Sequence, residues 1–365
     1  MEKLSTPIAI GRRTVKNRVV VPPMADFGMT EKDGQINSRH IEHYGELAEG
    51  GAGLVIVEAC AVTKLREPRS TVGVFDDTCL PGLTRLARAA TADGTAALVQ
   101  IMESGVGAMP EKSFEKTERE RLFQYMEDFV SAALRCRQAG FDGIELHAAH
   151  GTWLNKIIET SARTDEYGGS LENRVRILTE LIQRIKTACG DGFIAAARFG
   201  NPNYGELVRT ASLLEQAGAD LLDVSAGTED YRDVPGDFPL DGRIYAASLV
   251  KRQVRVPVIC VGNIVSKEQA EQALEYADLV AVGRGHLCDP AWMRKSMEGG
   301  TPVPCRRCHA CMWFTDGRKC PAVRERKNRE NTIDYNADGK IDDFDRAIEY
   351  ELYGVGRDRL EDGES

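Results

Sequence analysis

Four cysteines near the end of the chain stand as C-x2-C-x2-C-x8-C: Cys305, Cys308, Cys311 and Cys320. Thiolates three residues apart wrap a compact metal centre, and a more distant fourth closes it. A [4Fe–4S] cluster is one occupant for such a set. Zinc is the other, with His309 at hand to serve it, although structural zinc more often sits between two separated C-x2-C pairs. The other six of the ten cysteines (Cys60, Cys79, Cys136, Cys189, Cys260 and Cys288) are scattered. Residues 1–13 show no charged-then-apolar leader. The four therefore read as a metal site in a cytoplasmic chain rather than as a disulfide framework.

Two of the six histidines, His147 and His150, close an apolar run and form an H-x-x-H. Such a pair can bind a metal, bind a carbonyl, or be one structural histidine with a bystander. Two ligands do not complete a zinc site, so hydrogen bonding to a substrate oxygen is the favoured reading.

These groups need rigid elements to hold them. Eight short β-rich runs recur: 18–22 (RVVVP), 53–58 (GLVIVE), 96–101 (AALVQI), 143–147 (GIELH), 193–198 (FIAAAR), 221–224 (LLDV), 258–261 (VICV) and 279–282 (LVAV). They are apolar rather than alternating, as parallel strands covered on both faces are. Helical spacing lies between them, at 126–139, 173–188, 208–217 and 267–276. Eight strand–helix alternations predict an α/β fold, a (βα)8 TIM barrel, with a doubly wound open sheet as the alternative. The expected layout is a barrel over 1–300, a metal-binding segment over 301–322, and a linker with an acidic tail over 323–365.

Barrel chemistry collects at the C-terminal ends of the strands. The first run leads into Pro23, Met24 and Ala25, and the second ends at Glu58, Ala59 and Cys60. Gln100 lies in the third run, Arg198 ends the fifth, Gly262 and Asn263 follow the seventh, and Gly283 and Arg284 follow the eighth. Glycine turns after the last two strands, with an arginine beside them, are a phosphate site by position.

Composition narrows the class. Of 365 residues, 42% are hydrophobic and 28% charged, which excludes wholesale disorder. The net charge of −9 disfavours nucleic acid as a partner. No apolar run reaches the roughly 18 residues of a membrane span. The oligomeric state is left open.

The segment HAAHGTWLNKIIETSARTDEYGGSLENR (147–174), with NRVVVPPM (17–24) and ADLVAVGRGHLCDP (277–290), resembles the old yellow enzyme family of FMN-dependent oxidoreductases. The likeness runs over roughly residues 4–320 and is greatest to the iron–sulfur branch, with 2,4-dienoyl-CoA reductase and trimethylamine dehydrogenase. It implies FMN at the barrel mouth. Pro23, Met24 and Ala25 would pass behind the flavin ring, Ala59 and Gln100 would meet it, and Gln100 would bond its pyrimidine edge. Arg198 would face the electron-rich N1–C2 end, and Gly262, Asn263, Gly283 and Arg284 would hold the phosphate. His147 and His150 match the pair that binds a substrate carbonyl while hydride passes to an activated C=C bond.

Some residues depart from that pattern. Thr152, followed by Trp153, replaces the tyrosine that donates a proton, and a threonine hydroxyl is a far weaker acid. Ala25 stands where many members carry Thr or Cys. A His-containing segment is replaced by Met102, Glu103, Ser104 and Gly105. The branch likeness favours [4Fe–4S] over zinc at the four cysteines. The 45 residues after Cys320 are too few for the nucleotide-binding region of larger relatives. Electrons would then come from a separate electron-transfer protein docking near the cluster, or from NAD(P)H meeting FMN directly. No G-x-G-x-x-G follows a strand to choose between NADH and NADPH.

The tail flips in composition. Residues 334–365 hold 11 acidic and 4 basic side chains. Within it Asp334, Asn336, Asp338, Asp342 and Asp345 fall at loop positions 1, 3, 5, 9 and 12, with Gly339 at position 6 and the Lys340 carbonyl at position 7. The spacing resembles an EF-hand calcium loop, more closely that of dockerins, and an acidic solvated tail is the alternative. Three functions are carried forward. The first is an FMN and [4Fe–4S] reductase of an activated C=C bond. The second is an amine dehydrogenase passing electrons through the cluster to a separate acceptor. The third is a non-enzymatic electron carrier or scaffold.

Overall fold

All eight apolar runs become strands, and the strands close on themselves. A computed structural model describes residues 3–31, 33–64, 71–103, 117–159, 162–225, 231 and 233–329. Before the barrel, β1 (Ile8–Ile10) and β2 (Arg13–Val15) form an antiparallel hairpin. The barrel follows as β3 (Val19–Val21), β4 (Leu54–Ala61), β5 (Ala96–Met102), β6 (Gly143–Ala148), β7 (Ile194–Phe199), β8 (Leu221–Val224), β9 (Val258–Val261) and β10 (Leu279–Ala281). Each strand pairs in parallel with the next, and β10 returns to β3. The open-sheet alternative is thereby excluded.

The period of two along each strand sorts side chains into two cores. Val20, Leu54, Ile56, Ala96, Leu98, Ile194, Ala196, Leu221, Ile259, Leu279 and Ala281 fill the lumen. Their neighbours, such as Val19, Val55, Val99, Leu146, Ala197 and Leu222, face the helices in a second, larger core. Ile10 and Val15 of the hairpin join the lumen cluster and plug its lower end. The hairpin was not read from the sequence, because two three-residue strands around Gly11 are too short to show a period.

The helices are α1 (Ser38–Glu49), α2 (Leu80–Ala90), α3 (Arg119–Ala139), α4 (Trp153–Glu159), α5 (Leu171–Cys189), α6 (Tyr204–Gln216), α7 (Gly242–Lys251), α8 (Lys267–Ala273), α9 (Gly283–Cys288), α10 (Trp292–Met297) and α11 (Pro321–Arg329). Their starts are set by caps. Asn37, Ser170, Asn203, Asp241 and Ser266 each accept a backbone N–H of the first turn. Three of the four predicted helices begin earlier than their apolar spacing indicates, since their first turns carry polar residues that break the apolar spacing. Among the described residues no helix is long and apolar enough to cross a membrane.

After α10 the chain carries its cysteines back to the stretch that follows β3. Gly317 N–H donates to the buried Asp26 carboxylate at 2.8 Å, and Arg39 reaches Asp316 at 3.4 Å. The His43 and Trp313 rings lie 5.2 Å apart, and Arg326 donates to Glu46 at 3.3 Å. Gly28 makes the closest approach: a Cβ there would stand 1.9 Å from the Thr315 carbonyl oxygen. The acidic loop at 334–345 lies outside the described residues, as do Ser104 and Gly105.

Replacing Gly28 by Ala should therefore push the cysteine segment off its seat at a cost of about 1–3 kcal/mol. The expected readout is several-fold faster reaction of thiols in metal-free protein with a disulfide reagent, while the barrel melts within a few degrees of wild type. Unchanged thiol reactivity would mean that this contact does not hold the segment.

Candidate active site at the barrel mouth

Lumen-facing positions turn polar as the strands rise. Leu98 is followed two residues on by Gln100, Ala196 by Arg198, and Leu221 by Asp223 and then Ser225. β6 adds Glu145 and His147. Gln100, Glu145, His147, Arg198, Asp223 and Ser225 are all buried. Gln100 pairs in register with Glu145, and its Nε2 donates to Glu145 Oε1 at 2.8 Å. Arg198 Nε lies 3.3 Å from Asp223 Oδ2. One guanidinium thus faces two buried carboxyl groups. Burial raises the Glu145 pKa well above the usual carboxylate range, and the Asp223 charge raises it further against the pull of Arg198. Burial raises Asp223 as well, again against Arg198.

The two histidines meet at this mouth. Their rings are 5.1 Å apart and nearly perpendicular. His147 is buried with Nδ1 unpartnered, and burial, with His150 and Arg198 nearby, keeps it neutral. His150 has φ 62°, a left-handed backbone that a non-glycine residue adopts only when its surroundings impose it. Its Nε2 lies 2.9 Å from Ser225 Oγ, which also accepts from Arg198 Nη2 at 3.3 Å. Thr152 is turned the other way. Its hydroxyl bonds the His147 and Ala149 carbonyl oxygens at 2.7 and 3.0 Å, so its proton is committed to the main chain. Thr152 stands at the position of the expected proton donor, and in this structure its hydroxyl ties the turn that carries the histidines.

Beside this group lies a cavity of about 640 Å³, lined by Pro23, Met24, Arg198, Gly262, Asn263, Gly283 and Arg284. That volume suits a cofactor. Seven of the ten expected cofactor residues share it. Gln100 lies buried below the mouth, and Ala25 and Ala59 are half-buried. A register shift between Val57 and Cys60 marks a β-bulge in β4. Cys60, beyond the bulge, packs in the helix-facing core. Gly262 has no room for a side chain: a Cβ there would stand 2.7 Å from the Asp241 side chain.

The cavity's far end was only partly legible. Asp241 takes two side-chain bonds from Arg243, at 2.8 and 2.9 Å, and one from Asn263 Nδ2 at 2.7 Å. Arg284 Nη2 donates to Asn263 Oδ1 at 2.7 Å. Arg243 and Arg307 also line the cavity. Asp241 and Arg243 were missed because they lie at the start of α7, outside any strand end; the helix-start pattern D-G-R was their signal. The cation-rich wall, two close glycine turns and the buried Arg198 fit a flat cofactor with an anionic tail, as FMN has.

The cysteines gather next to this cavity. Cys305, Cys308, Cys311 and Cys320 line one smaller space together with Cys288. Cys288 is therefore not scattered: the turn of α9 packs it against Cys305 and Cys320. Its hydrogen bonds pull both of those thiols below the ordinary range. Arg284, Cys305 and Arg307 line both cavities. Among the described residues no three His, Cys, Asp or Glu side chains converge on a single ion.

Glu58, below Ala59, is fully buried, and its Oε1 lies 3.5 Å from the Tyr44 hydroxyl. Burial, helped by Asp26, pushes its pKa up to about 8. The folded protein then keeps a proton that the unfolded chain releases above its ordinary value of 4.5. Stability should fall as pH rises through this interval, by at most about 1.4 kcal/mol per pH unit, until about pH 8. Urea unfolding between about pH 6.5 and 8 should show this slope, and Glu58→Gln should flatten it. An unchanged slope in the variant would assign it elsewhere.

Comparison with known proteins gives concordant matches. Residues 3–301 match the NADH:flavin oxidoreductase / NADH oxidase family. An NADPH dehydrogenase of Halalkalibacterium halodurans is 35% identical over 328 residues, 82% of this chain and 96% of that protein. An NADH oxidase of Thermoanaerobacter brockii is 35% identical over 337 residues, 83% of this chain but 52% of that protein. Of solved structures, a 2-naphthoyl-CoA reductase in complex with 2-naphthoyl-CoA superposes with a TM-score of 0.75 at 25% identity, covering 85% of this chain and 55% of that one. An old yellow enzyme homologue from Zymomonas mobilis has the same fold, with a TM-score of 0.73 at 22% identity, covering 86% of this chain and 96% of that one. The chain thus spans about half the length of the oxidase and of the reductase, and nearly all of the dehydrogenase.

Proposed function

The chain belongs to the NADH:flavin oxidoreductase / NADH oxidase family, and from that membership we propose that it is an FMN-dependent reductase of an activated C=C bond, with a [4Fe–4S] cluster at Cys305, Cys308, Cys311 and Cys320. The observation that carries the reading is the pair of histidines set at the mouth beside a buried arginine and a cofactor-sized cavity. FMN, when bound, supplies hydride transfer between a nicotinamide and the substrate.

This chain's residues would do the rest. Pro23, Met24, Ala25, Ala59 and Gln100 would frame the flavin ring. Arg198 would place a fixed positive charge at its electron-rich end. Gly262, Asn263, Gly283 and Arg284 would hold the phosphate. A neutral His147 offers a ring N–H to a substrate carbonyl oxygen, and His150 stands beside it. Donors fixed in a water-poor site stabilise the charge that grows on that oxygen during reduction. The proton for the α-carbon comes from water or another group, since the Thr152 hydroxyl is committed to the main chain.

The C-x2-C-x2-C-x8-C spacing of four thiols that line one cavity supports the cluster over zinc, which more often sits between two separated C-x2-C pairs. The cluster supplies single-electron transfer, and a separate electron-transfer protein is the partner this implies. A cytoplasmic setting goes with it, because such thiolates persist where the medium is reducing. For the tail we keep the calcium-loop reading of Asp334, Asn336, Asp338, Lys340, Asp342 and Asp345.

An anaerobic absorption spectrum tests the cofactor set. Resolved flavin bands over a broad iron–sulfur shoulder are expected, and NADPH or NADH should bleach the flavin. Flavin without the shoulder, in protein never exposed to oxygen, would return the cysteines to zinc. Cys308→Ala should lose iron while keeping FMN and the barrel's melting temperature; full iron content would remove the ligand assignment. His147→Ala should weaken phenolate binding over the flavin at least tenfold, about 1.4 kcal/mol, at unchanged FMN content. An equal affinity would take His147 out of the substrate site.

A further inference from the structure

The mouth of the barrel holds a carboxyl group that the reaction does not need. Glu145 has no exposed surface and sits one strand from Gln100, in register with it. Its Oε1 accepts the Gln100 Nε2–H at 2.8 Å, and Oε2 makes no hydrogen bond. We propose that Glu145 is a positioning residue: it holds the Gln100 amide so that the carbonyl oxygen, not the NH2 group, is presented to the N3–H of the flavin ring. The proposal rests on the FMN reading and names the residue that sets polarity at one edge of that site.

A side-chain amide is nearly symmetric in shape and opposite in chemistry at its two ends. The pyrimidine edge of a flavin presents one donor, N3–H, between two carbonyl acceptors. A glutamine free to flip would meet that edge with either end. An acceptor held at Nε2 favours the conformer that leaves the carbonyl oxygen free.

The surroundings keep Glu145 in this role. Arg198 on β7 is drawn to Asp223 on β8 by an ion pair of 3.3 Å and to Ser225 by a hydrogen bond of 3.3 Å. His147, two residues further along β6, is neutral. Asp223 is the acidic group that acts on Glu145, and Arg198 the basic one. Arg198 makes its ion pair with Asp223, Glu145 makes its hydrogen bond with Gln100, and both of these side chains are buried.

The test compares FMN with 3-deaza-FMN, in which a C–H replaces N3–H without added bulk. Both are titrated into apoprotein prepared from the holoenzyme, and flavin fluorescence is followed. Wild type should bind the analogue at least tenfold more weakly. Glu145→Gln keeps an acceptor for Nε2 but adds a donor for the Gln100 carbonyl oxygen, and should give a ratio between those of wild type and the leucine variant. Glu145→Leu frees the amide and should bring the ratio to within about threefold of one, as should Gln100→Leu. Glu145→Met serves in its place if the leucine variant does not fold. A second readout uses FMN labelled with nitrogen-15 at N3. The bound N3–H proton resonance should move upfield in Glu145→Leu and by less in Glu145→Gln.

A wild-type ratio in a Glu145→Leu protein that melts normally would overturn the proposal. So would a Glu145→Gln protein that loses the ratio as fully as the leucine variant. Wild type that binds neither flavin would instead remove the cofactor reading, and this proposal with it.

Discussion

A closed parallel barrel leaves each strand one freedom, which is the parity of its side chains, and everything at the mouth of this molecule follows from that parity. Once Leu98 points into the lumen, Gln100 must too. The same rule carries Ala196 to Arg198 and Leu221 to Asp223. The lumen can be packed with branched side chains low down and still deliver a guanidinium, two carboxyl groups and an amide to one level higher up. Burial then makes those groups act on each other. Arg198 is not a surface arginine that happens to lie near a cofactor: it is 6% exposed, and Asp223, with no exposure, fixes where its charge sits. Removing either partner would leave a buried charge uncompensated, the costly case for such pairs.

The cysteine segment is tied to this arrangement through the backbone that follows β3. Asp26, next to Ala25, accepts from Gly317 in the segment and from Gly28 in its own loop. On the other side Arg284 and Cys305 stand in the wall between the two cavities. The sulfur-rich pocket and the cofactor pocket are thus built from shared residues. Arg284, which lines both, also bonds Asn263 in the cofactor cavity.

Much of this was legible in the sequence because barrels put chemistry at strand ends. The eight runs, the histidine pair, Arg198 and both glycine turns are local signals. What escaped was carried by distance in sequence or by side-chain direction. Cys288 looks isolated in the chain because its partners lie 17 and 32 residues on, and only the turn of α9 brings it to them. Asp241 and Arg243 precede a helix rather than follow a strand. Thr152 sits where a proton donor is expected, yet its hydroxyl meets two carbonyl groups, and no spacing rule reveals the direction of an O–H. The hairpin at 8–15 has no period long enough to count.

That hairpin has a consequence of its own. By filling the lower end of the lumen with Ile10 and Val15, it turns a tube into a cup. A cup has one rim. On the reading proposed above, a nicotinamide and a small-molecule substrate would cross the same rim, over the same histidines, and stand there in turn, whereas electrons arriving through the cysteine pocket would not cross it.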